Sequence, residues 1–342
     1  MKYMGYNNLG SYSLTLLYVI YSAASFLNAP LVSRLTAKRS MFYGALCYFF
    51  WILCSLFPST AQFYTESRLF IFSEGFIYMI ILLSAAVNGF GASLLWVGSG
   101  SYVAQCSTNE NRSRFYSTFW FLYMWSQIVG NLLGAFVLGA FSSVVFFVLM
   151  SIISFLGAST FLLLTRPLKS SELLQNVTDE DYGSEEQGEI CDYREGIRST
   201  TRLFLSGRMM RLNLFIIFSG SVVATYCGFL VPSISNVVEK RDPHCETDET
   251  LKRSLLCMVP LGIAECIGCL VIGKIVDTFG KRRAIMMVLG VNLATVTLTV
   301  IVQSFDKCYW CWFFVCFGWG ILDSTDNTLI MIILAAEFDS NT

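Results

Sequence analysis

The chain has 342 residues, of which 55% are hydrophobic and 14% are charged, with 29 phenylalanines and a single histidine. This composition is too apolar for a soluble domain and indicates a membrane protein. The formal net charge of -1 provides no basic surface for nucleic acid, so nucleic-acid binding is excluded as a function.

Nine apolar segments are long enough to cross a bilayer, since a spanning helix needs about 20 apolar residues. No signal peptide is predicted before the first segment, because the N-terminal residues lack a small-residue cleavage site. The first segment is therefore expected to stay in the membrane. The predicted spans run over residues 11–33, 41–57, 78–104, 117–139, 143–164, 212–235, 254–276, 284–303 and 309–335.

A polar region at residues 166–211 separates an N-terminal helical bundle, residues 1–165, from a C-terminal bundle, residues 212–342. Acidic residues crowd the stretch from Asp179 to Glu195, which predicts a flexible spacer, with regulatory docking as the alternative. Over residues 197–212, arginines alternate with apolar residues. This pattern predicts an amphipathic helix lying on the inner leaflet.

The distribution of Lys and Arg among the loops predicts the orientation of the spans. Most basic residues fall on one side, together with the acidic spacer, and this side is assigned to the cytoplasm. The N-terminus is then expected on the non-cytoplasmic side. The glycosylation sequons at Asn111 and Asn176 fall in predicted cytoplasmic loops and are expected to be unmodified.

The twelve cysteines show no metal-ligand spacing, and most of them lie in apolar segments where free cysteine packs as a small hydrophobe. No metal or cofactor is therefore expected. Cys308 and Cys311 form a C-x-x-C that opens a span rather than following a strand, which argues against a redox motif. Cys245 is a candidate disulfide partner for Cys308 on the non-cytoplasmic side.

The loop between the seventh and eighth spans carries a specific pattern, Gly273-Lys-Ile-Val-Asp277-Thr-Phe-Gly280-Lys281-Arg282-Arg283. Gly273 lets helices approach, Asp277 can neutralise a helix N-terminus, and Gly280 turns the chain. The three basic residues that follow cannot cross the bilayer. The loop resembles the signature of the major facilitator superfamily, which implies a switch between inward- and outward-open states. The alternative is an ordinary basic loop.

Further stretches resemble the Unc-93-like branch of this superfamily. The third span contains Trp96-x-x-x-Gly100-x-Tyr102, which is either a family packing element or an interfacial aromatic anchor. Thr36 departs from the family, which usually has Gly at that position. The resemblance sets the first span at the family's second helix and the last at its tenth, so helices one, eleven and twelve are expected to be missing. The last span contains Gly318-x-Gly320-Ile-Leu-Asp323-x-x-x-Asn327-Thr328.

An acidic residue inside a span is expected to have a structural or functional role, because placing a carboxylate in hydrocarbon costs at least about 2.5 kcal/mol. Asp323, Asp326 and Asn327 are spaced i, i+3 and i+4, which puts them on one helical face. They are predicted to bind a proton or cation, with helix packing as the alternative. Glu265 is expected to belong to a packed helix seam with Gly262, Cys266 and Cys269, with proton or cation binding as the alternative.

The resemblance implies an all-α membrane protein with the major facilitator fold and about nine transmembrane helices, in the plasma membrane or an endomembrane. The first function hypothesis is a non-enzymatic regulator of a potassium channel complex, or an escort, whose partner is another membrane protein such as a channel subunit. The second is a proton- or cation-coupled transporter of a small solute that uses Asp323 and Asp326. An enzyme is not expected, because the sequence has no nucleophile–base pair, metal-ligand set or phosphate loop.

Overall fold

The computed structural model describes residue 6 and residues 8–61, 69–107, 112–165, 193–242, 247–304 and 308–337, and every element in these ranges is helical. Short 3₁₀ turns lie at Phe70–Phe72 and Phe161–Leu163, and a π-helical turn lies at Tyr226–Leu230. The α-helices are α1 (Leu9–Leu35), α2 (Ala37–Cys54), α3 (Leu56–Ala61), α4 (Glu74–Cys106), α5 (Arg112–Ala140), α6 (Ser143–Thr160), α7 (Tyr193–Phe204), α8 (Gly207–Thr225), α9 (Val231–Arg241), α10 (Thr247–Phe279), α11 (Lys281–Ser304) and α12 (Cys311–Glu337).

All nine predicted spans lie in helical structure, and eight of them are long and apolar enough to cross a membrane. The remaining helix, α12, has 27 residues, a length of about 40 Å that would also suffice. The residues from Asp323 to Thr328 in its middle are polar. They lower the mean hydropathy of α12, so hydropathy alone does not identify it as a span. The prediction of an all-α, multi-pass membrane protein is confirmed.

The first compact unit contains residues 1–112 and 143–205, with α4 packed between α1 and α2. Glycine makes this packing close: a Cβ at Gly44 would lie 2.5 Å from the carbonyl oxygen of Gly91, and a Cβ at Gly89 would lie 2.5 Å from that of Leu17. Fully buried Asn28 donates its Nδ2 to Ser93 Oγ at 3.0 Å. Small residues and polar bonds of this kind hold helices together in membranes.

The second compact unit contains residues 113–142 and 206–342, with α12 packed along α10. Its core includes Trp312, Leu261 and Leu322, which are all buried. Helix α5 belongs to this unit because it packs on α10, where a Cβ at Gly262 would lie 2.8 Å from Ile128. This grouping differs from the division by chain order at residues 165 and 212, and two pseudo-symmetric bundles stay a prediction.

The segment predicted as one amphipathic helix over 197–212 is divided between two helices, and its position on the inner leaflet stays a prediction. Helix α7 ends at Phe204, and α8 begins at Gly207 with Ser206 as its N-cap, whose side chain accepts a bond from the backbone N–H of Met209. The cap satisfies a donor that the new helix would otherwise leave free. The acidic stretch through residue 192, Asn111 and Asn176 lie outside the described residues.

The cysteine pairing differs from the expectation. Cys308 and Cys311 are joined by a disulfide at the start of α12, so Cys308 has no sulfur left for Cys245. Their separation of three residues in a tight turn brings the two sulfurs together, and Cys311 N–H donates to the carbonyl of Cys308 at 3.2 Å. Cys245 itself lies outside the described residues.

Candidate functional site

The polar middle of α12 presents two buried acids. Asp323 and Asp326 are 2% and 0% exposed, and Asn327 is half-buried beside them. Asn327 Nδ2 donates to Asp323 Oδ1 at 3.1 Å and to the Asp323 carbonyl at 2.9 Å. The i, i+4 spacing that predicts a shared face therefore produces a direct bond between these two side chains.

Glu265 of α10 joins the same cluster. It is fully buried, and its carboxyl group lies close enough to that of Asp323 for the two groups to interact. Gln127 of α5 donates its Nε2 to Glu265 Oε1 at 3.4 Å. Because a carboxylate only accepts hydrogen bonds, a bond between two carboxyl groups requires a proton on one of them. Three helices thus meet at one buried carboxyl cluster, where a hydrogen bond between the two acids would need such a proton.

Two glycines bring α10 and α12 close enough for this contact. A Cβ at Gly268 would overlap Ser324 Oγ, and a Cβ at Gly320 would overlap the backbone carbonyl oxygen of Leu261. The two helices therefore touch through their backbones on either side of the carboxyl pair. Close approach between small residues is the usual way in which membrane helices pack.

Asp326 lacks a hydrogen-bond donor of the kind that Asn327 provides for Asp323. Among the described residues, neither of its carboxylate oxygens accepts a hydrogen bond, and neither does Glu265 Oε2. No basic side chain contributes to the electrostatic environment of the three acids within this part of the chain. A bare carboxylate in such surroundings costs several kcal/mol. Asp326 is therefore expected to take up a proton or a cation.

Ion pairs in the described part of this unit lie elsewhere, at the start of α10. Glu249 pairs with Lys252 at 3.1 Å and with Arg253 at 3.0 Å, on partly exposed side chains. The described residues contain no group of three or more His, Cys, Asp or Glu side chains with a geometry that would hold a metal ion. The buried carboxyl cluster is thus chemically distinct from the charged end of the same helix.

Tyr226 is a site residue that sequence reasoning does not find. It begins the π-helical turn and interacts electrostatically with Asp323 and Glu265. The turn precedes Pro232, which has no N–H to donate to the carbonyl of Gly228 four residues earlier. Single π-turns inside helices often occur at functional sites. The signal in the sequence is the proline, six residues after the tyrosine.

The basic loop between α10 and α11 has the predicted turn. Gly280 alone separates the two helices, with φ at +79°, a backbone conformation that favours glycine. Lys281, Arg282 and Arg283 are exposed at the start of α11. A Cβ at Gly273 would meet nothing within 4 Å, so the described structure does not use Gly273 for a close helix approach. Asp277 lies in the last turn of α10, and its side chain lies outside the described residues.

The corresponding loop between α1 and α2 is also one residue long. Thr36 fills it with φ at +73°, an uncommon conformation for a β-branched residue. Each loop therefore turns through one residue at positive φ, a glycine in one loop and a threonine in the other.

Residues 5–339 match the sequence profile of the Major Facilitator Superfamily. The chain belongs to the Major Facilitator Superfamily. Its structure agrees, with a TM-score of 0.55 to the xylose transporter XylE from E. coli in a partially occluded inward-open conformation, at 13% identity, covering 97% of this chain and 76% of that chain. A D-xylose-proton symporter gives a TM-score of 0.55 at 15% identity, covering 96% and 78%. At these identities the likeness establishes the superfamily fold alone.

Two curated relatives within the superfamily are UNC93-like proteins. UNC93-like protein MFSD11 from Xenopus laevis is 24% identical over 233 residues, which cover 65% of this chain and 48% of the relative. The protein of the same name from Xenopus tropicalis is 22% identical over 233 residues, with the same shares. The chain spans about half the length of these relatives. Absence of the superfamily's helices one, eleven and twelve stays a prediction.

The Unc-93-like motif of α4 packs only in part. Trp96 is half-buried and shares a side-chain hydrogen bond with Tyr48 of α2. Tyr102 donates its hydroxyl to the backbone carbonyl of Thr165 at 3.0 Å, across to the end of the α6 segment. A Cβ at Gly100 would meet nothing within 4 Å. The two aromatic residues thus tie α4 to its neighbours, whereas the space that a Cβ would fill at Gly100 is open.

Proposed function

We propose that the chain is a proton-coupled membrane transporter of the Major Facilitator Superfamily, in which the buried carboxyl cluster binds the coupling proton. The observation that carries the proposal is the close approach of two fully buried carboxyl groups, Glu265 and Asp323, with no basic side chain among the electrostatic partners of either acid in the described part of the chain. The coupled solute is proposed to be small and polar. No enzymatic reaction is proposed.

The cluster gives a proton a defined role in this proposal. A proton held between Glu265 and Asp323 bridges α10 to α12, whereas its loss leaves two like charges in contact, which repel strongly at low dielectric. Protonation therefore favours the close arrangement of the two helices. Asp326, without a hydrogen-bond donor, is the second acid whose charge would change in the cycle.

A second candidate function is a regulator of a potassium channel complex, or an escort of another membrane protein. The relationship to UNC93-like proteins favours it. In this case Glu265, Asp323 and Gln127 would act as packing groups, because they contact one another within one unit. The partner would be another membrane protein, such as a channel subunit, that contacts the helices from the bilayer.

The double variant Asp323→Asn with Asp326→Asn separates the two functions, because each amide keeps the shape of the acid and removes its titration. The chain is purified in weakly buffered detergent with a pH-indicator dye and mixed with a panel of sugars, amino acids and monovalent salts. Transport coupling predicts that one solute changes the indicator signal with the native chain and not with the double variant.

Crosslinking in native membranes provides the other arm of the test. The transporter proposal fails if no solute changes the indicator signal of the native chain and the double variant still crosslinks to the same membrane partner. The regulator then takes its place. Coupling through these acids is supported if the solute changes the indicator signal with the native chain and not with the double variant, while circular dichroism shows unchanged folding.

Orientation belongs to the same proposal. The Lys and Arg distribution supports a cytoplasmic position for the basic loop at Lys281, Arg282 and Arg283 and a non-cytoplasmic N-terminus. In this orientation the turn at Gly280 lies on the cytoplasmic side, and the loop is proposed to bias the protein between inward- and outward-open states. Residence in the plasma membrane or an endomembrane is also part of the proposal.

A further inference from the structure

Helix α7 has two different faces. Tyr193, Gly196 and Phe204 lie on the face that contacts α1, whereas Arg194, Arg198 and Arg202 follow one another at intervals of four on an exposed face. Residues four apart lie above one another on a helix, so these three arginines form one stripe. We call Arg194, Arg198 and Arg202 the arginine stripe.

Four contacts fix the opposite face of α7 to the end of α1. Tyr193 donates its hydroxyl to the carbonyl of Leu27 at 3.2 Å, and the Arg34 guanidinium lies 5.4 Å from the centre of the Tyr193 ring. A Cβ at Gly196 would lie 2.8 Å from the Cβ of Pro30. At the other end of α7, the Phe204 ring meets Phe26 edge-on at 5.4 Å. The arginine stripe is thus held in one orientation.

The position of α7 decides what the arginine stripe meets. Helix α1 is a candidate span over Leu9–Leu35, and α7 contacts its last turns, where the span ends in Arg34. A helix against the end of a span lies at the level of the lipid headgroups. Leu203 and Leu205, which are 51% and 64% exposed, supply apolar side chains beside the last arginine. Basic and apolar residues combined in this way are typical of surfaces that bind anionic lipid.

We propose that the arginine stripe of α7 binds the headgroups of anionic phospholipids in the membrane that holds the protein. Phosphate oxygens match the guanidinium donors, and Arg makes paired bonds with them. Because α7 is attached to α1 through Tyr193 and Gly196, lipid binding fixes the end of α1 against the headgroup layer. The proposal is independent of the carboxyl cluster, which lies in the other compact unit.

The test uses the full chain in uncharged detergent and a fluorescent short-chain phosphatidylinositol bisphosphate as the probe. The triple variant Arg194→Gln, Arg198→Gln, Arg202→Gln should bind the probe about 100-fold more weakly, since each basic residue near a membrane surface contributes about 5-fold, or ~1 kcal/mol. Replacing the same three residues with Lys keeps the charges and should retain affinity to within about 5-fold.

A matched control removes three exposed basic residues from the other unit, with Lys240→Gln, Arg241→Gln and Lys274→Gln. This variant has the same net charge as the Gln variant of the stripe and should bind within about 3-fold of the native chain. Equal weakening in the two Gln variants, or no weakening in the stripe variant, would overturn the proposal. Equal affinity for the soluble headgroup, inositol trisphosphate, would overturn the assignment to lipid. Thermal unfolding of each variant confirms that folding is intact.

Discussion

The contact between α10 and α12 predicts an unusual response to alanine at position 320. Alanine normally stabilises a helix relative to glycine, by about 1 kcal/mol. At Gly320, however, the new Cβ would overlap the carbonyl oxygen of Leu261 and lie 2.9 Å from the Cβ of Ala264. A backbone oxygen in a helix cannot rotate away as the end of a flexible side chain can. The variant Gly320→Ala must therefore push the two helices apart.

The size of the effect follows from two opposing contributions. Overpacking costs about 1–3 kcal/mol, and the gain in helix propensity offsets about 1 kcal/mol of it. Gly320→Ala is thus expected to lower the free energy of unfolding by up to about 2 kcal/mol. The same substitution at Gly290 in α11 is the control, because Gly290 is exposed and its new Cβ would meet nothing within 4 Å. Gly290→Ala should leave stability unchanged or raise it.

Thermal unfolding of the native chain and both variants in one detergent measures this difference. The expected order of melting temperature places Gly290→Ala at or above the native chain and Gly320→Ala below it. A Gly320→Ala variant that melts at or above the native temperature would contradict the close contact between the helices. The geometry that brings Glu265 to Asp323 would then need revision as well.

Three other predictions concern the loops and the cluster. Thr36→Gly should stabilise the chain by about 1 kcal/mol and Gly280→Ala should destabilise it by a similar amount, because both positions have positive φ; equal signs in thermal unfolding would refute this reasoning. Gln127→Leu, which removes the bond to Glu265, should cost about 1 kcal/mol of unfolding free energy, and an unchanged melting temperature would contradict that bond. In intact cells, an engineered cysteine at Thr278 should be protected from an impermeant label while one at Thr247 reacts, and labelling at Thr278 would reverse the proposed orientation.

The sequence predicts the helices well because a span must satisfy its own backbone hydrogen bonds in lipid, so each one is recognisable by itself. The i, i+3, i+4 spacing likewise predicts the shared face of Asp323, Asp326 and Asn327. It does not predict that Glu265 faces Asp323. That contact depends on the rotation of α10 about its own axis, which is fixed by the approach at Gly268 and Gly320.

Other features depend on contacts between segments that are far apart in the sequence. An aromatic residue such as Tyr226 in an apolar segment is usually packing, and only the π-turn before Pro232 brings it near the acids. The break between α7 and α8 is readable in principle from Ser206, whose side chain caps the new helix. The amphipathic pattern that continues across this break conceals it. Attachment of α7 to α1 rests on Tyr193 and Gly196, far from α1 in the chain.

Infrared difference spectroscopy of the full chain in lipid tests the carboxyl cluster most directly. A protonated carboxyl group has a carbonyl stretch that a carboxylate lacks, so a change of pH reports its proton directly. The proposal predicts a protonated-carboxyl band that titrates in the native chain, shifts in Glu265→Gln, and falls to the contribution of Asp326 when Asp323→Asn is added. Spectra without a titrating carboxyl band, or with a band that both substitutions leave unchanged, would contradict proton binding at this site.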